Sequence, residues 1–440
     1  MTSNKNIFKI TYPIFLTLIA QNIINVTDTA FLGRVSEVAL GASAIAGVYY
    51  FAIYIIGFGF SQGAQILIGR RNGEKNYAAI GPIFNNGLIF ISLMALLLIA
   101  LSYWANPYIM KFLVSSNDVY IASIEYLDWR VFGYLFAFIN VMFRGFFVGV
   151  TQTKILTISA IITAFVNVIL DYLLIFGHAG FPQMGIAGAA LASVIAEAVT
   201  TVYIVFYSYK KDIRQRFGLF KMPKFEFTVV KQVLDISVFI MFQYFISIGT
   251  WFMFFIFIER MGERPLAVTN IGRSLYILLM IPGSAISTTV NTMVSNLIGA
   301  GKKEEVMKFV HRMMLLVIVL VTPIMAITFM MPELFASVYT ESASLIADAI
   351  PVLKVVSVAM IVCAVGNILF NAVSGTGNTR TALFIEFITL FFYISYVYYT
   401  SIVSPQTTAV IWMSEFVYWS IIGLFSYIYL RSGRWTKKKI

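Results

Sequence analysis

Apolar stretches about 20 residues long recur from one end of this 440-residue chain to the other. A helix of that length crosses about 30 Å of hydrocarbon, so each stretch can span a membrane. The composition agrees, because 60% of the residues are hydrophobic, only 12% are charged and the mean hydropathy is +0.86. A soluble protein of this composition could not cover its own surface with polar groups. The pattern therefore predicts an all-α integral membrane protein.

Twelve such spans can be counted along the chain. Each span is read as a transmembrane helix, since backbone groups inside a bilayer must be satisfied within the protein. The predicted spans are residues 13–33, 44–68, 82–104, 123–148, 155–176, 186–208, 232–257, 266–298, 307–330, 346–373, 381–402 and 407–430.

The basic residues are distributed unevenly between the two sides of the membrane. Most of the 31 Lys and Arg residues fall in the termini and in every second loop, whereas the other loops hold only Arg34, Lys111, Arg260 and Arg264. Positively charged segments stay in the cytoplasm, so we expect a multi-pass protein of the cell (inner) membrane with both termini cytoplasmic. The net charge of +11 then reflects membrane topology, and no nucleic-acid partner is expected.

Short sequences in the first half of the chain recur in the second half. "VGVTQTK" (148–154) aligns with "SGTGNTR" (374–380) at an offset of 226, and the offset is 218 in the last span of each half, where Glu197 pairs with Glu415. Six spans per half is an even number, so the halves point the same way and form a parallel internal repeat. We predict two six-helix lobes, residues 1–208 and 232–440, joined by a cytoplasmic basic linker over residues 209–231.

Two aspartates lie deep within the spans of the first half. At 1.5 Å of rise per residue, Asp28 lies about 22 Å and Asp171 about 25 Å from the cytoplasmic side. Asn167 shares a helix face with Asp171, and Ser193 of the sixth span falls in the same outer half of the membrane. One ionised Asp in hydrocarbon costs about 2.5–3.5 kcal/mol, and two close carboxylates cost more unless they share a proton or a cation. The alternative is that each Asp caps a helix end or faces outer water.

The repeat assigns this cluster to one half only. At the offset of 226, Asp28 corresponds to Phe254, Asn167 to Tyr393 and Asp171 to Val397. None of these equivalents is acidic, so any ion site in this layer belongs to the first half alone.

These features resemble the multidrug and toxic compound extrusion (MATE) transporters over the whole chain. The resemblance is carried by twelve spans in two halves, by "P…D…FLGR" in the first span and by "NVILDYLLIFG…MGIAGAALAS" in spans five and six. The resemblance is greatest for the archaeal and DNA-damage-inducible branch of the family. Resemblance to this branch implies a cation site in the first half at Asp28, Asn167, Asp171 and Ser193, with Na⁺ as one candidate ion at the first three. It also implies a bend of the first helix at Pro13.

The resemblance implies a cation-coupled antiporter, driven by H⁺ or Na⁺, that exports amphipathic and often cationic small molecules by rocking of its two lobes. Its partners would be a small-molecule substrate and the lipid bilayer. The coupling ion would be its only cofactor, and the protein would be a monomer. The alternative within the superfamily is a lipid-linked oligosaccharide flippase, which is disfavoured because few basic residues lie at depth. An enzyme is not expected, because an integral-membrane enzyme would need clustered His, Asp or Glu at a membrane face, and the only two histidines, His178 and His311, are distant from each other.

Three further charged residues are candidates for a substrate cavity: Glu197, Arg273 and Glu415. Each glutamate lies near the middle of the membrane, where it could bind a cationic substrate or hydrogen-bond a neighbouring helix. Arg273 and Arg130 lie one to two turns inside the outer surface. Both are interpreted as side chains that extend to the interface, with a cavity role as the alternative for Arg273.

Overall fold

The computed structural model describes residues 3–221 and 225–438. Within these ranges the chain is helical, with short connecting turns and no β-strand. Among the described helices, eleven are long and apolar enough to cross a membrane, and one bent pair makes a twelfth span. The all-α architecture predicted from hydropathy is confirmed.

The helices are numbered in chain order. They are α1 (Asn4–Val35), α2 (Glu37–Gly73), α3 (Ile80–Leu113), α4 (Asn117–Arg130), α5 (Gly133–Gly149), α6 (Lys154–Phe176), α7 (Gly185–Ser208), α8 (Lys211–Phe217), α9 (Phe227–Glu259), α10 (Glu263–Gly299), α11 (Glu305–Met330), α12 (Pro332–Ser337), α13 (Ala343–Gly375), α14 (Thr379–Tyr398), α15 (Thr408–Trp412) and α16 (Ser414–Arg431). A π-helical turn, Tyr399–Val403, extends α14.

The described residues form two compact units. The first unit is Phe8–Met241, and the second contains the described residues of Met1–Ile7 and Phe242–Ile440. The predicted lobe boundaries stay a prediction. The segment predicted as a linker carries the short helix α8, and Asn85 of α3 donates hydrogen bonds to the carbonyls of Gly218 and Lys221 (3.1 and 2.9 Å). That segment therefore packs against α3 within the first unit.

In the first unit, α6 and α7 pack along each other at very short range. Gly188 of α7 allows this, because a Cβ there would lie 2.7 Å from the backbone carbonyl of Leu174 on α6. Small residues give membrane helices close backbone contact where no hydrophobic effect drives them together. The close approach places the polar side chains of α6 beside those of α7.

The fourth predicted span, residues 123–148, is broken rather than continuous. Helices α4 and α5 meet at an angle of 53°. Gly133, the first residue of α5, leaves room for the side chains of Arg130 and Glu197, since a Cβ at Gly133 would lie 2.9 Å from Glu197 Oε2 and closer still to Arg130 Nη1. The break therefore lies next to a partly buried ion pair between Arg130 and Glu197.

In the second unit, α13 is the central helix and packs against α10, α11 and α16. Close approach again depends on glycine, because a Cβ at Gly366 would lie 2.7 Å from the carbonyl oxygen of Trp419 on α16. The twelfth predicted span is divided into α15 and α16 near Met413. These contacts hold the second unit together around a helix that is buried along most of its length.

Candidate functional site

The structure brings the two deep aspartates together. Asp28 of α1 and Asp171 of α6 have side chains within hydrogen-bonding reach of each other. Asp171 is fully buried, and Asp28 is partly buried. Asp28 Oδ1 and both carboxyl oxygens of Asp171 accept no hydrogen bond from the described residues. Two carboxylates can bond to each other only through a shared proton, because neither has a donor when both are ionised.

Asn167 and Ser193 lie beside this pair, as their positions in the sequence predicted. Asn167 on α6 is almost fully buried, and its Nδ2 lies 3.4 Å from Ser193 Oγ on α7. The side-chain oxygen of Asn167 has no hydrogen-bond partner among the described groups. Oxygen atoms from three helices are therefore available to a small cation, which several oxygen ligands would hold.

A cavity of about 430 Å³ opens within the first unit. Its wall includes Asp28, Asn167 and Ser193, together with the rings of Tyr50 and Tyr54. Asp171 is not part of the wall and is buried next to Asp28.

Arg130 of α4 and Glu197 of α7 form a bidentate ion pair in the cavity wall. Arg130 Nη2 lies 2.7 Å from Glu197 Oε1, and Nη1 lies 3.1 Å from Oε2. The guanidinium also lies 3.8 Å from the centre of the Tyr50 ring, which is stacked on Tyr134. The interpretation of Arg130 as a side chain that extends to the membrane interface was wrong. The sequence does not show this pairing, because the two residues are 67 positions apart.

Arg130 also lies near one member of the aspartate pair, Asp28. It is near enough to Asp28 to interact with it electrostatically. Glu197, for its part, both lines the cavity and binds a neighbouring helix, so the two alternatives considered for it are not exclusive. The cavity wall thus combines a paired Arg and Glu with Asp28, which forms no ion pair among the described residues.

Pro13 lies inside the continuous helix α1. A proline has no N–H, so the carbonyl of Lys9, one turn earlier, loses its helical donor. The hydroxyl of Thr153 lies 3.3 Å from that carbonyl and donates at 3.0 Å to the carbonyl of Ile10. Thr157 Oγ1 donates to the Pro13 carbonyl at 3.2 Å. Hydroxyls at the start of α6 therefore satisfy the α1 backbone around the proline.

The other two cavity candidates lie in the second unit and are not part of this wall. Glu415 on α16 is buried and accepts a hydrogen bond from Trp419 Nε1 at 3.1 Å. Arg273 on α10 is exposed, and its guanidinium lies 5.3 Å from the centre of the Phe255 ring.

The repeat equivalents of the aspartate cluster are packed rather than polar. Phe254, Tyr393 and Val397 are all buried. The rings of Phe254 and Tyr393 lie 6.4 Å apart, and Phe254 also packs edge-on against Trp412 at 5.5 Å. The layer that holds carboxyl groups in the first unit holds aromatic rings in the second.

The MatE family model matches the chain twice, over residues 13–173 and over residues 240–399. The two matches together cover more than half of the chain. The chain belongs to the MATE family. The two matches begin 227 residues apart and end 226 residues apart. This spacing agrees with the offset of 226 between the sequence repeats and confirms the internal repeat.

Curated relatives of this MATE protein include "Probable multidrug resistance protein NorM" of Thermotoga maritima. That protein is 25% identical over 387 residues, which cover 88% of this chain and 83% of the relative. A protein of the same name from Listeria innocua is 23% identical over 342 residues, which cover 78% of this chain and 75% of the relative.

Solved structures with the same fold cover nearly the whole chain. A MOP superfamily transporter from Pyrococcus furiosus has a TM-score of 0.89 at 16% identity, covering 99% of this chain and 97% of the other. A mutant of the Vibrio cholerae MATE transporter VcmN has the same score and identity, covering 99% of this chain and 98% of the other. At this identity the likeness shows the fold alone. This MATE protein is therefore a multi-pass membrane protein with a transporter fold.

Proposed function

We propose that this MATE protein is an antiporter, driven by H⁺ or Na⁺, that exports amphipathic and often cationic small molecules from the cytoplasm. The observation that carries the proposal is the buried pair Asp28 and Asp171 beside a polar cavity. A close pair of carboxylates is relieved of its repulsion when it binds a proton or a cation. Binding and release of that ion on opposite sides of the membrane then drive the cycle.

The cavity suits the proposed class of substrate. The rings of Tyr50, Phe51 and Tyr54 lie in its wall next to the acidic groups of Asp28 and Glu197. Aromatic faces and carboxylates together bind flat, positively charged molecules. The names of the relatives refer to multidrug resistance, which agrees with export of small molecules.

We place the chain in the archaeal and DNA-damage-inducible branch of the family. The support is the first-lobe set Asp28, Asn167, Asp171 and Ser193, combined with the absence of an acid at the second-lobe equivalents Phe254, Tyr393 and Val397. In this proposal Asp28, Asn167 and Asp171 hold the ion, Na⁺ included, and no other cofactor takes part. The protein works as a monomer with both termini in the cytoplasm, and its two lobes rock between inward-open and outward-open states.

Purified protein reconstituted into proteoliposomes tests the proposal. A fluorescent cationic dye on one side is followed while either a pH gradient or a Na⁺ gradient is imposed. We expect one gradient to drive dye uphill in the wild type but not in Asp28→Asn. The matched control is Asp128→Asn, which removes an exposed carboxyl from α4 and should leave transport intact. Equal dye movement with and without either gradient would refute ion coupling.

A lipid-linked oligosaccharide flippase is the second candidate function. One observation favours it, namely that Arg130 and Arg144 both line the cavity, where they could bind pyrophosphate. Glu197 already neutralises Arg130, which leaves Arg144 as the basic group of the wall without an ion pair among the described residues. Movement of a fluorescent prenyl-pyrophosphate lipid between leaflets, without movement of the dye, would favour the flippase.

A further inference from the structure

A buried carboxyl group in the second unit is not accounted for by the first-lobe site. Glu386 lies on α14, and only 1% of its surface is exposed. It lies two turns into α14, so it is within a candidate membrane span, Thr379–Val403. Acidic groups at such depth are rare because their ionised form is poorly solvated.

Only one carboxyl oxygen of Glu386 accepts hydrogen bonds from the described residues. The hydroxyls of Ser247 on α9 and Tyr418 on α16 both donate to Oε1, each at 2.7 Å. Oε2 is buried and has no partner among the described atoms. The Ser247 hydroxyl also lies 2.9 Å from the carbonyl of Gln243, and its single proton serves only one acceptor at a time.

No positive charge in the described parts of the chain compensates Glu386. None of the four ion pairs found there includes it. The titratable groups on its side of α16 are Tyr418 and, one turn earlier, Glu415; Tyr393 of α14 packs against the Tyr418 ring. All three are acids. A negative charge on Glu386 would therefore lie in a low-dielectric site without a counter-charge. When Glu386 is protonated, the only buried polar group left without a partner is a neutral carboxyl O–H, which costs less.

The repeat places Glu386, Ser247 and Tyr418 at positions whose first-lobe equivalents line the cavity. The offset of 226 relates α9 and α14 to α1 and α6, and the offset of 218 relates the last spans of the two halves. Each of these three second-lobe residues, called the trio below, then has an equivalent that lines the first-lobe cavity. The equivalent pairs are Glu386 with Ala160, Ser247 with Gln21 and Tyr418 with Thr200.

We propose that Glu386, with Ser247 and Tyr418, is a proton-binding site of the second lobe, separate from the first-lobe aspartates. The trio provides one carboxyl that takes and releases a proton and two hydroxyls that stabilise its ionised form when the proton leaves. The coupling role of this site rests on the proposed antiport function, but proton binding itself does not.

Infrared spectroscopy of the purified full-length protein tests proton binding directly. The C=O stretch of a protonated carboxylic acid is followed from pH 5 to pH 9 in the Asp28→Asn/Asp171→Asn background, where the first-lobe acids are absent. We expect a band that is lost at high pH, is missing when Glu386→Gln is added, and persists with Glu415→Gln or with the exposed control Glu341→Gln. An unchanged difference spectrum with Glu386→Gln would overturn the proposal.

A second variant keeps the test decisive if Glu386→Gln folds poorly. Glu386→Asp retains a carboxyl in a shifted position, so the titrating band should remain and move in frequency. A band identical to that of the background protein would assign the titration to another residue and overturn the proposal.

Transport measurements then test coupling. At zero membrane potential, a pH gradient of one unit contributes a factor of about ten to substrate accumulation for each coupled proton. Glu386→Gln should therefore lower proton-driven accumulation about tenfold while dye exchange without a gradient continues. Unchanged accumulation would overturn the coupling role. If the pH gradient does not change accumulation in the wild type, proton coupling itself is refuted. The infrared titration would still decide whether Glu386 binds a proton.

Discussion

Asp28 and Asp171 approach each other from helices α1 and α6 at matched depth, with no described donor to either oxygen of Asp171. Two facing carboxyl groups in this environment cannot both remain ionised without a cation. The relationship explains why an aspartate is present within an otherwise apolar first span. It also makes the pair the most direct target for mutation.

Asp28→Asn and Asp171→Asn should each abolish ion-driven transport while the protein stays folded. Each change removes a buried charge and keeps the size of the side chain, so folding should not suffer. Gradient-driven dye transport and thermal unfolding of the same preparations check both parts. Full ion-driven transport by Asp171→Asn would contradict the account.

Phe254→Leu, at the repeat equivalent of Asp28, should keep ion coupling. The native ring packs against Trp412 and Tyr393, so its loss should cost about 1–2 kcal/mol of stability. The expected result is a lower unfolding temperature with an unchanged response to the driving gradient. Loss of coupling in a well-folded variant would show that the second lobe contributes to the site at this layer.

The ion pair between Arg130 and Glu197 predicts strong coupling between two substitutions. Arg130→Met leaves a partly buried Glu197 without its partner and should destabilise the protein by about 3–5 kcal/mol, whereas Arg130→Met with Glu197→Gln should recover most of that loss. Unfolding temperatures of the single and double variants measure the difference.

An exposed pair in the second unit is the control for this experiment. Arg264 and Asp348 lie 2.7 Å apart, and about half of each side chain is exposed. Arg264→Met should therefore change stability by less than about 1 kcal/mol. Similar losses for Arg264→Met and Arg130→Met would mean that burial of the Arg130 pair has no special effect.

Gly188→Ala should separate α6 from α7 and weaken the ion site. The added methyl meets the Leu174 backbone at 2.7 Å, and overpacking of this kind costs about 1–3 kcal/mol. The 3.4 Å approach of Asn167 to Ser193 would lengthen, so a higher ion concentration should be needed for half-maximal transport. Gly41→Ala is the control, because no described atom lies within 4 Å of a Cβ there. Equal behaviour of the two variants would count against the packing argument.

Hydropathy and helical rise were enough to predict the spans and the similar depths of Asp28 and Asp171, because both depend on position along single helices. The approach of the two side chains was inferred from the cost of leaving a buried carboxylate without a proton or a cation. The ion pair of Arg130 depends on which faces of α4 and α7 meet, and one sequence does not specify that. The bend between α4 and α5 was missed for the same reason. The sequence signal for the bend is Gly133, three residues after Arg130, and it can be interpreted only when Glu197 is known to lie next to both.

The contact between Phe254 and Tyr393 makes the two copies of the repeat electrically unlike. The two rings occupy, in the second copy, the positions of Asp28 and Asn167 in the first. Neither ring is charged near neutral pH, so packing alone can fill these two positions of the second lobe without the cost of burying a charge. A change of proton concentration near neutrality therefore leaves these two positions uncharged in the second copy.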